Sequence, residues 1–327
     1  MTAPLAAGYT LRAPRPDEAA AVHALIAASE IAEFGEATGY SLDDLRGDWR
    51  SIDIAQDAWV AVAPDGSLAG YAYVSHRRHV RVDAEGYVHP EHAGRGIGTT
   101  LVRAAEGRSR DHLPLAPEGA RVVAQNWINA RNAAARGVLE GEGYIPVRHF
   151  WRMEIALADA PDGPRWSEGI AVRPLGSEDD ERAAHLVVQE AMADHWGNVP
   201  APFADWIARR REHGLDPSLW FVAWDGDEPA AVALCSISDG LGWVDTLAVR
   251  RAWRGRGLGK ALLHHAFADF SRRGLERCAL GVDAANPTGA TRLYEGIGMR
   301  ASQEHAVYQK ELRPGAELAD LDDDGEG

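Results

Sequence analysis

The chain has 327 residues, with 34 lysine or arginine against 49 aspartate or glutamate, a formal charge of −15, and 46% hydrophobic residues. That is about two domains of roughly 150 residues, and so acidic a chain lacks the basic stripe that displaces counterions from nucleic acid or holds an anionic membrane. Cys235 and Cys278 cannot build a disulfide framework or a cysteine-rich zinc site, and neither a signal-peptide core nor an apolar run of about eighteen residues occurs, so a cytoplasmic protein is expected.

In chain order the first half reads as a short strand at "YTLRAP", a helical stretch, alternating apolar strands from "WVAVAPDG" onward, and a glycine loop, "AGRGIG" (Ala93 to Gly98). A helix, a strand, a second helix ending at "EGEGY" and a closing strand follow. The same order then recurs. Arg12 matches Arg173, Trp59 matches Trp220, and Gly96 and Gly98 match Gly257 and Gly259, every pair 161 positions apart. Four anchors in one register identify an internal duplication. The match of "EGEGY" to "EGIGM" lies 155 positions apart, which leaves "LPLAPEGA" (Leu113 to Ala120) as an insertion.

The seam falls in "ADAPDGPRWSEG" (Ala158 to Gly169), where proline, glycine and polar residues interrupt the apolar pattern. Domains of 1–158 and 169–313 are expected, followed by an acidic, disordered tail at 314–327. In the second half "WFVAW", "AAVALCSI" and "GWVDTLAV" read as strands. Leu258, Leu262, Ala266 and Phe270 then recur every four residues on a helix that ends near Gly274. "CALGV" is a buried strand, and "NPTGATRLYEGIGM" a short helix that stops at Gly296 and Gly298.

The loop "RGRGLGK" (Arg254 to Lys260) lies between the strand "TLAV" and that helix. Alternate glycines let backbone approach a ligand, and the free N–H groups of a helix start favour phosphate oxygens. Arg254, Arg256 and Lys260 add positive charge. The rival nucleotide motifs fail: the dinucleotide fingerprint wants G-x-G-x-x-G, and a Walker loop wants glycine and Ser/Thr where Arg254 and Ala261 stand. A tight turn needing glycine for packing alone is the bland alternative.

With Arg254, Gly257 and Gly259 in the [Q/R]-x-x-G-x-[G/A] positions, and Asn286, Tyr294 and Gly298 following in order, the second half resembles the GNAT superfamily of N-acetyltransferases. The first half is similar but less complete: Ala93 replaces the Arg or Gln, Asn132 lies within one position of the counterpart of Asn286, and Leu139 stands in place of Tyr294. The whole chain looks like a tandem member, similar to mycothiol synthase-type actinobacterial enzymes, with a degenerate first copy and a catalytic second.

The resemblance implies an α/β fold of two tandem domains, each a mixed, central, splayed β-sheet flanked by helices. It implies acetyl-CoA as the coenzyme, held by Leu247, Ala248, Val249, Arg254, Gly255, Arg256, Gly257, Leu258, Gly259, Lys260 and Asn286, and in the first copy by Val88, Gly94, Arg95, Gly96, Ile97, Gly98 and Thr99. Acyl transfer from a thioester needs a neutral amine, a stabilised oxyanion and a proton for the leaving sulfur. The family pattern gives the last role to Tyr294. Asp245, on the strand before the loop, is the candidate base, with a pKa raised by an apolar cleft. Glu190, Asp194 and His195, in the helical segment "QEAMADHW" that overhangs the acceptor cleft in this fold, compete with Asp245 for the role of base or else lie on the acceptor side, where Asp194 or His195 would orient a cationic amine.

No H-x-x-x-H pair or Cys/His cluster appears, and His76 with His79 and His89 with His92 fall on strand or loop, so no metal is expected. The expected partner is a primary amine of a small molecule or peptide, with no nucleic acid and no membrane, and a monomer or dimer is expected. Three alternatives stand beside this reading: a non-catalytic acyl-CoA sensor or scaffold, acetylation of a thiol-sugar amine, and two working halves acting on two amines, against which Leu139 counts.

Overall fold

The computed structural model describes residues 5–160, 163–286 and 289–323. Its contacts divide the chain into two compact units, Met1–His149 with Glu304–Gly327, and Phe150–Gln303.

The first unit runs β1 (Thr10–Arg12), α1 (Ala19–Phe34), α2 (Leu42–Ser51), α3 (Ile54–Asp57), β2 (Ala58–Val62), β3 (Leu68–Arg77), β4 (Arg81–Val88), α4 (Ile97–Asp111), β5 (Val122–Asn129) and α5 (Ala133–Gly141). Next comes β6 (Ile145–Ala156). The second unit repeats the order with β7 (Ile170–Pro174), α6 (Glu178–Met192), α7 (Phe203–Glu212), β8 (Trp220–Asp225), β9 (Glu228–Ser238), β10 (Leu241–Val249), α8 (Leu258–Arg272), β11 (Arg277–Asp283) and α9 (Ala290–Gly296). The chain continues with β12 (Arg300–Arg313) and α10 (Leu318–Asp323).

Among the described residues, the named strands of each unit pair antiparallel except at one place. In the first, the strands β1, β2, β3 and β4 pair antiparallel, β4 pairs parallel with β5, and β5 pairs antiparallel with β12 from His305 to Arg313. In the second, β7 to β10 do likewise, β10 pairs parallel with β11, and β11 pairs antiparallel with β6 from Phe150 to Ala156. The closing strand of each repeat therefore completes the other repeat's sheet. The contact boundaries fall at 149/150 and 303/304 rather than at the expected 158 and 313. Two closing strands of like apolar pattern carry no mark of the sheet they join.

The single parallel pair in each unit is also where the sheet splays. β4 and β5 pair only from Arg81↔Val123 to Ala84↔Asn126, while β4 runs on to Val88. β10 and β11 pair only from Leu241↔Arg277 to Trp243↔Ala279, while β10 runs on to Val249. The helix that follows presses on the sheet through glycine. A Cβ on Gly70 would lie 2.6 Å from Ile97 Cγ2, and one on Gly242 2.7 Å from the Phe270 ring. The expected stripe Leu258, Leu262, Ala266 and Phe270 is fully buried.

The tail departs from expectation. Ala316 accepts from the amide of Arg121 and donates to the carbonyl of Gly119. Glu317 pairs with Arg121 at 3.0 Å and with the buried Arg81 at 3.3 Å, and Leu318 is buried. The acidic segment is thus anchored as far as α10, and residues 324–327 lie outside the described ones.

The exchange makes a prediction about dissection. A fragment of residues 1–158 leaves β5 without β12 and exposes a bare sheet edge, so alone it should aggregate or stay unfolded, whereas co-expression with 159–327 should restore a soluble complex, read by size-exclusion chromatography and circular dichroism.

Candidate functional site

Both glycine loops have one geometry. Gly96 and Gly257 are the N-caps of α4 and α8, with φ of 75° and 80°, a left-handed setting that glycine holds without strain. Neither helix start receives a side-chain cap, unlike α2 and α6, which are capped by Ser41 and Ser177. Uncapped N–H groups at the positive end of a 15-residue helix form an anion site.

In the second unit Leu247, Ala248 and Val249 continue β10 past the parting. A Cβ on Gly259 would lie 3.6 Å from Leu293, 3.7 Å from Val249 and 3.8 Å from Leu247, so α8, α9 and β10 converge there. Leu258 is buried beneath the loop and Gly255 has φ of 77°. The loop's cations are engaged differently from expectation. Arg254 donates to the carbonyls of Val249 and Ala191, both at 3.2 Å, and Arg256 pairs with Asp225 at 2.9 Å. Lys260 is exposed in the first turn of α8. The anion cradle is therefore mainly backbone.

Tyr294, on α9, is buried in the apolar core, and burial pushes its phenol up to about 12. Asn286 is half-buried ahead of α9, whose own N-cap is Gly289. Asp245 is exposed rather than sunk in an apolar cleft, because it is the extra residue of a bulge between Val244 and Thr246. It lies close enough to Arg210 of α7 to favour that guanidinium's charge. Glu190 is bound to Arg250 at 2.6 Å and accepts from the amide of Arg251, and Asp194 pairs with Arg251. Asp194 and His195 lie beyond the end of α6, not on it. His195 is held toward its neutral form by burial, with Arg254 adding to the effect. These acidic groups brace the strand-to-loop corner.

A large cavity lies in the first unit. It has a volume of about 860 Å³, and Val88, Gly94, Gly96, Ile97, Gly98 and Thr99 line it. That is within the range of cofactor sites. Arg95 turns outward, its guanidinium 5.8 Å from the ring centre of Tyr9. Asn132 caps α5 through the amide of Ala135 and donates to Glu33 at 3.1 Å. Leu139, in place of the phenol, is buried beside Tyr144.

Glu85 of β4, a residue the sequence did not single out, also lines this cavity. It is the first residue past the parting of β4 from β5. Burial pushes its carboxyl up to about 7, reinforced by Asp48 and opposed by hydrogen bonds from Tyr87 and Tyr73. Tyr87 Oη donates to Glu85 at 3.0 Å, Tyr40 Oη to Asp48 at 2.5 Å, and Trp49 Nε1 to Tyr71 Oη at 2.8 Å. Tyr71 and Tyr73 stack with ring centres 5.9 Å apart. The local mark of Glu85 in the sequence is a carboxylate two residues before Tyr87, facing the alternate tyrosines Tyr71 and Tyr73 of β3.

Among the described residues one group of metal-ligating type comes together: His76 and His79 at the β3–β4 turn and His112 at the end of α4, with ligand atoms within 4.8 Å of one another. Spacing along the chain could not reveal it, because His112 arrives from a distant element. The His76 and His79 rings stack at 3.9 Å and 17°, so their in-plane lone pairs run side by side rather than converging.

The Acetyltransferase (GNAT) family model matches this chain twice, over residues 22–144 and 186–299. A mycothiol acetyltransferase of Kineococcus radiotolerans is 34% identical over 249 residues, 75% of this chain and 78% of that protein. Another of that name, from Nocardiopsis dassonvillei, is 30% identical over 272 residues, 75% of this chain and 79% of its own. A GCN5-related N-acetyltransferase structure from Sphaerobacter thermophilus is 39% identical with a TM-score of 0.84, covering 97% of this chain and 99% of that one. A tandem GNAT protein from the clavulanic acid biosynthesis pathway shares the fold at 16% identity, with a TM-score of 0.71 over 94% of this chain and 100% of its own.

The raised carboxyl of Glu85 has a consequence for stability. Its ordinary value is 4.5, so between 4.5 and about 7 the folded chain holds a proton that the unfolded chain has released, and stability falls as pH rises through that window. Glu85→Gln should therefore melt roughly 2–6 °C above wild type at pH 8, with the gap shrinking by pH 5, in a thermal-shift series.

Proposed function

Because the chain belongs to the GNAT acetyltransferase family, we propose that it transfers an acetyl group from acetyl-CoA to a primary amine of a small molecule or peptide, by direct attack within a ternary complex. One observation carries the reading: in each unit a parallel strand pair parts directly ahead of a long helix opened by a left-handed glycine and left without a side-chain cap. An extended arm fits along the freed edge of β4 or β10, and a diphosphate fits the uncapped amides. Bound there, acetyl-CoA supplies an activated acyl group.

We read the second unit as the one that matches the family's chemistry. The β10 edge from Leu247 to Val249 offers backbone N–H groups to a developing oxyanion, worth about 10²- to 10³-fold in rate. Tyr294, protonated throughout the physiological range, holds a proton for the departing sulfur. Asp245, exposed on its bulge, takes the amine's proton through solvent. A second reading, an amine on a thiol-sugar conjugate as acceptor, draws on the name its relatives carry.

Calorimetry and free-thiol release test this together. Wild type should bind two equivalents of acetyl-CoA, and Gly96→Glu or Gly257→Glu, each placing a carboxylate at one anion cradle, should leave one. In the Gly96→Glu protein, Tyr294→Phe should lower kcat about 10²-fold or more without changing coenzyme affinity. Unaltered turnover would remove Tyr294 from the chemistry, and absence of coenzyme binding would remove the function.

A further inference from the structure

We infer that Arg210 of α7 sets the choice of acceptor in the second unit by gripping a carboxylate, so that the amine acetylated there belongs to an amino acid. The inference rests on the acetyl-transfer reading above and deepens it by naming a substrate class.

Three consecutive arginines on α7 are placed differently. Arg209 is exposed, and Arg211 donates to both carboxylate oxygens of Glu181, at 2.9 and 2.8 Å. Arg210 is half-buried, one helical turn past Trp206. Its guanidinium carbon lies 5.7 Å from the ring centre of Trp206 and 5.9 Å from that of Trp220, and both indoles are buried. Two fixed rings hold the fork in one orientation. Among the described residues no hydrogen bond or ion pair engages this guanidinium, and none of its nitrogens is sealed from solvent. Burial pulls its pKa below the usual arginine value, and the charge of Asp245 offsets this only in part. The chain has 49 acidic residues against 34 lysines and arginines, so Arg210 lacks an acid by placement, not by shortage.

That place is the acceptor side of the parting. Trp220 pairs with Leu234, and Leu234 with Thr246, so the indole beside Arg210 belongs to the row that crosses β10 just past Trp243↔Ala279, where β11 leaves. Asp245, the extra residue of the bulge in that row, acts on Arg210 without forming an ion pair with it. A positive and a negative charge therefore face each other across a gap that Arg210 does not close. A zwitterion fits such a pair in one orientation, its carboxylate on the guanidinium fork and its amine toward Asp245 and the free end of β10. A simple cationic amine has no partner for Arg210 and is repelled by it.

The first repeat shows that the fold needs no cation here. The 161-residue offset sets Trp49 against Arg210, Leu45 against Trp206 and Tyr71 against Val232. Trp49 Nε1 donates to Tyr71 Oη at 2.8 Å, so that neutral ring is satisfied inside the protein. Val232 offers Arg210 no such acceptor. The second repeat has thus exchanged an internally satisfied indole for a cation on an aromatic platform, with donors that the protein leaves unmatched.

The test uses full-length protein carrying Gly96→Glu, so that only the second unit's cradle is intact. Free-thiol release from acetyl-CoA is measured with each standard amino acid beside its own carboxamide. At least one amino acid should be acetylated about ten-fold or more efficiently than its amide, because an uncharged amide leaves the guanidinium poorly paired. For that acid, Arg210→Gln should raise KM about ten-fold or more while kcat stays within about two-fold, and the amide's kcat/KM should not change. Arg210→Lys should recover part of the loss, since it keeps the charge and not the fork. Calorimetry should give the same acetyl-CoA affinity in all three proteins. If Arg210→Gln does not fold, the acid-to-amide ratios of the parent and of Arg210→Lys still decide the question. No acid preferred over its amide, an unchanged KM in Arg210→Gln, or equal losses for acid and amide would overturn the inference. Absence of acetyl-CoA binding to the parent protein would instead overturn the function on which it rests.

Discussion

The parting of two parallel strands just before a helix is the constraint on which everything else depends. While β4 and β5, or β10 and β11, stay paired, their amide and carbonyl groups satisfy each other. Past Ala84↔Asn126 and Trp243↔Ala279 the ladder stops, and the facing edges turn to whatever lies in the gap. Backbone polar groups pair with protein, water or ligand, so a split sheet offers an extended polar ligand a row of free partners. The left-handed glycine at the following helix start extends this row by holding a further set of N–H groups uncapped. Side-chain cations are secondary, which explains how Arg254 and Arg256 can be tied to protein carbonyls and to Asp225 without emptying the cradle.

A backbone that can hold an anion without side-chain help leaves the side chains beyond the parting free to diverge. The two repeats have done so in opposite directions. The second keeps a phenol on α9 and lines β9 and β10 with aliphatic residues; the first has lost that phenol but gathers Glu85, Asp48 and their aromatic neighbours. A bulge at Asp245 changes the course of one strand, where β4 pairs with β3 without interruption. The same ladder thus presents a bulged, exposed acid in one copy and a half-buried, cavity-facing acid in the other.

How much of this was legible in the sequence follows from which features are local. The duplication, the glycine loops and the buried stripe from Leu258 to Phe270 are patterns within short segments, and the structure carries each of them. The exchange of β6 and β12 was illegible because a strand's alternation encodes a buried face and says nothing about its neighbour. Glu190 and Asp194 read as free acids near a cleft because their partners, Arg250 and Arg251, lie about sixty residues away. Glu85 was passed over for a related reason: its raised proton affinity arises from burial and from Asp48 on another element, neither of which a strand sequence records. Expected disorder in the tail failed likewise, since Arg81 and Arg121, which hold Glu317, are more than 190 residues distant.

The exchange of closing strands also bears on why a diverged first copy persists. In two repeats joined only by a linker, a copy relieved of its task accumulates destabilising changes without harm to the other. Here β5 is completed by residues 305–313 and β11 by residues 150–156, so neither sheet is whole without the far end of the other repeat. Most substitutions destabilise, and folding tolerates only a few kcal/mol of loss. Selection on either site therefore maintains the fold of both units, and with it the splayed edges and uncapped helix starts. A copy kept folded for its partner's sake retains its splayed edge and its uncapped helix start, while the side chains beyond the parting remain free to change.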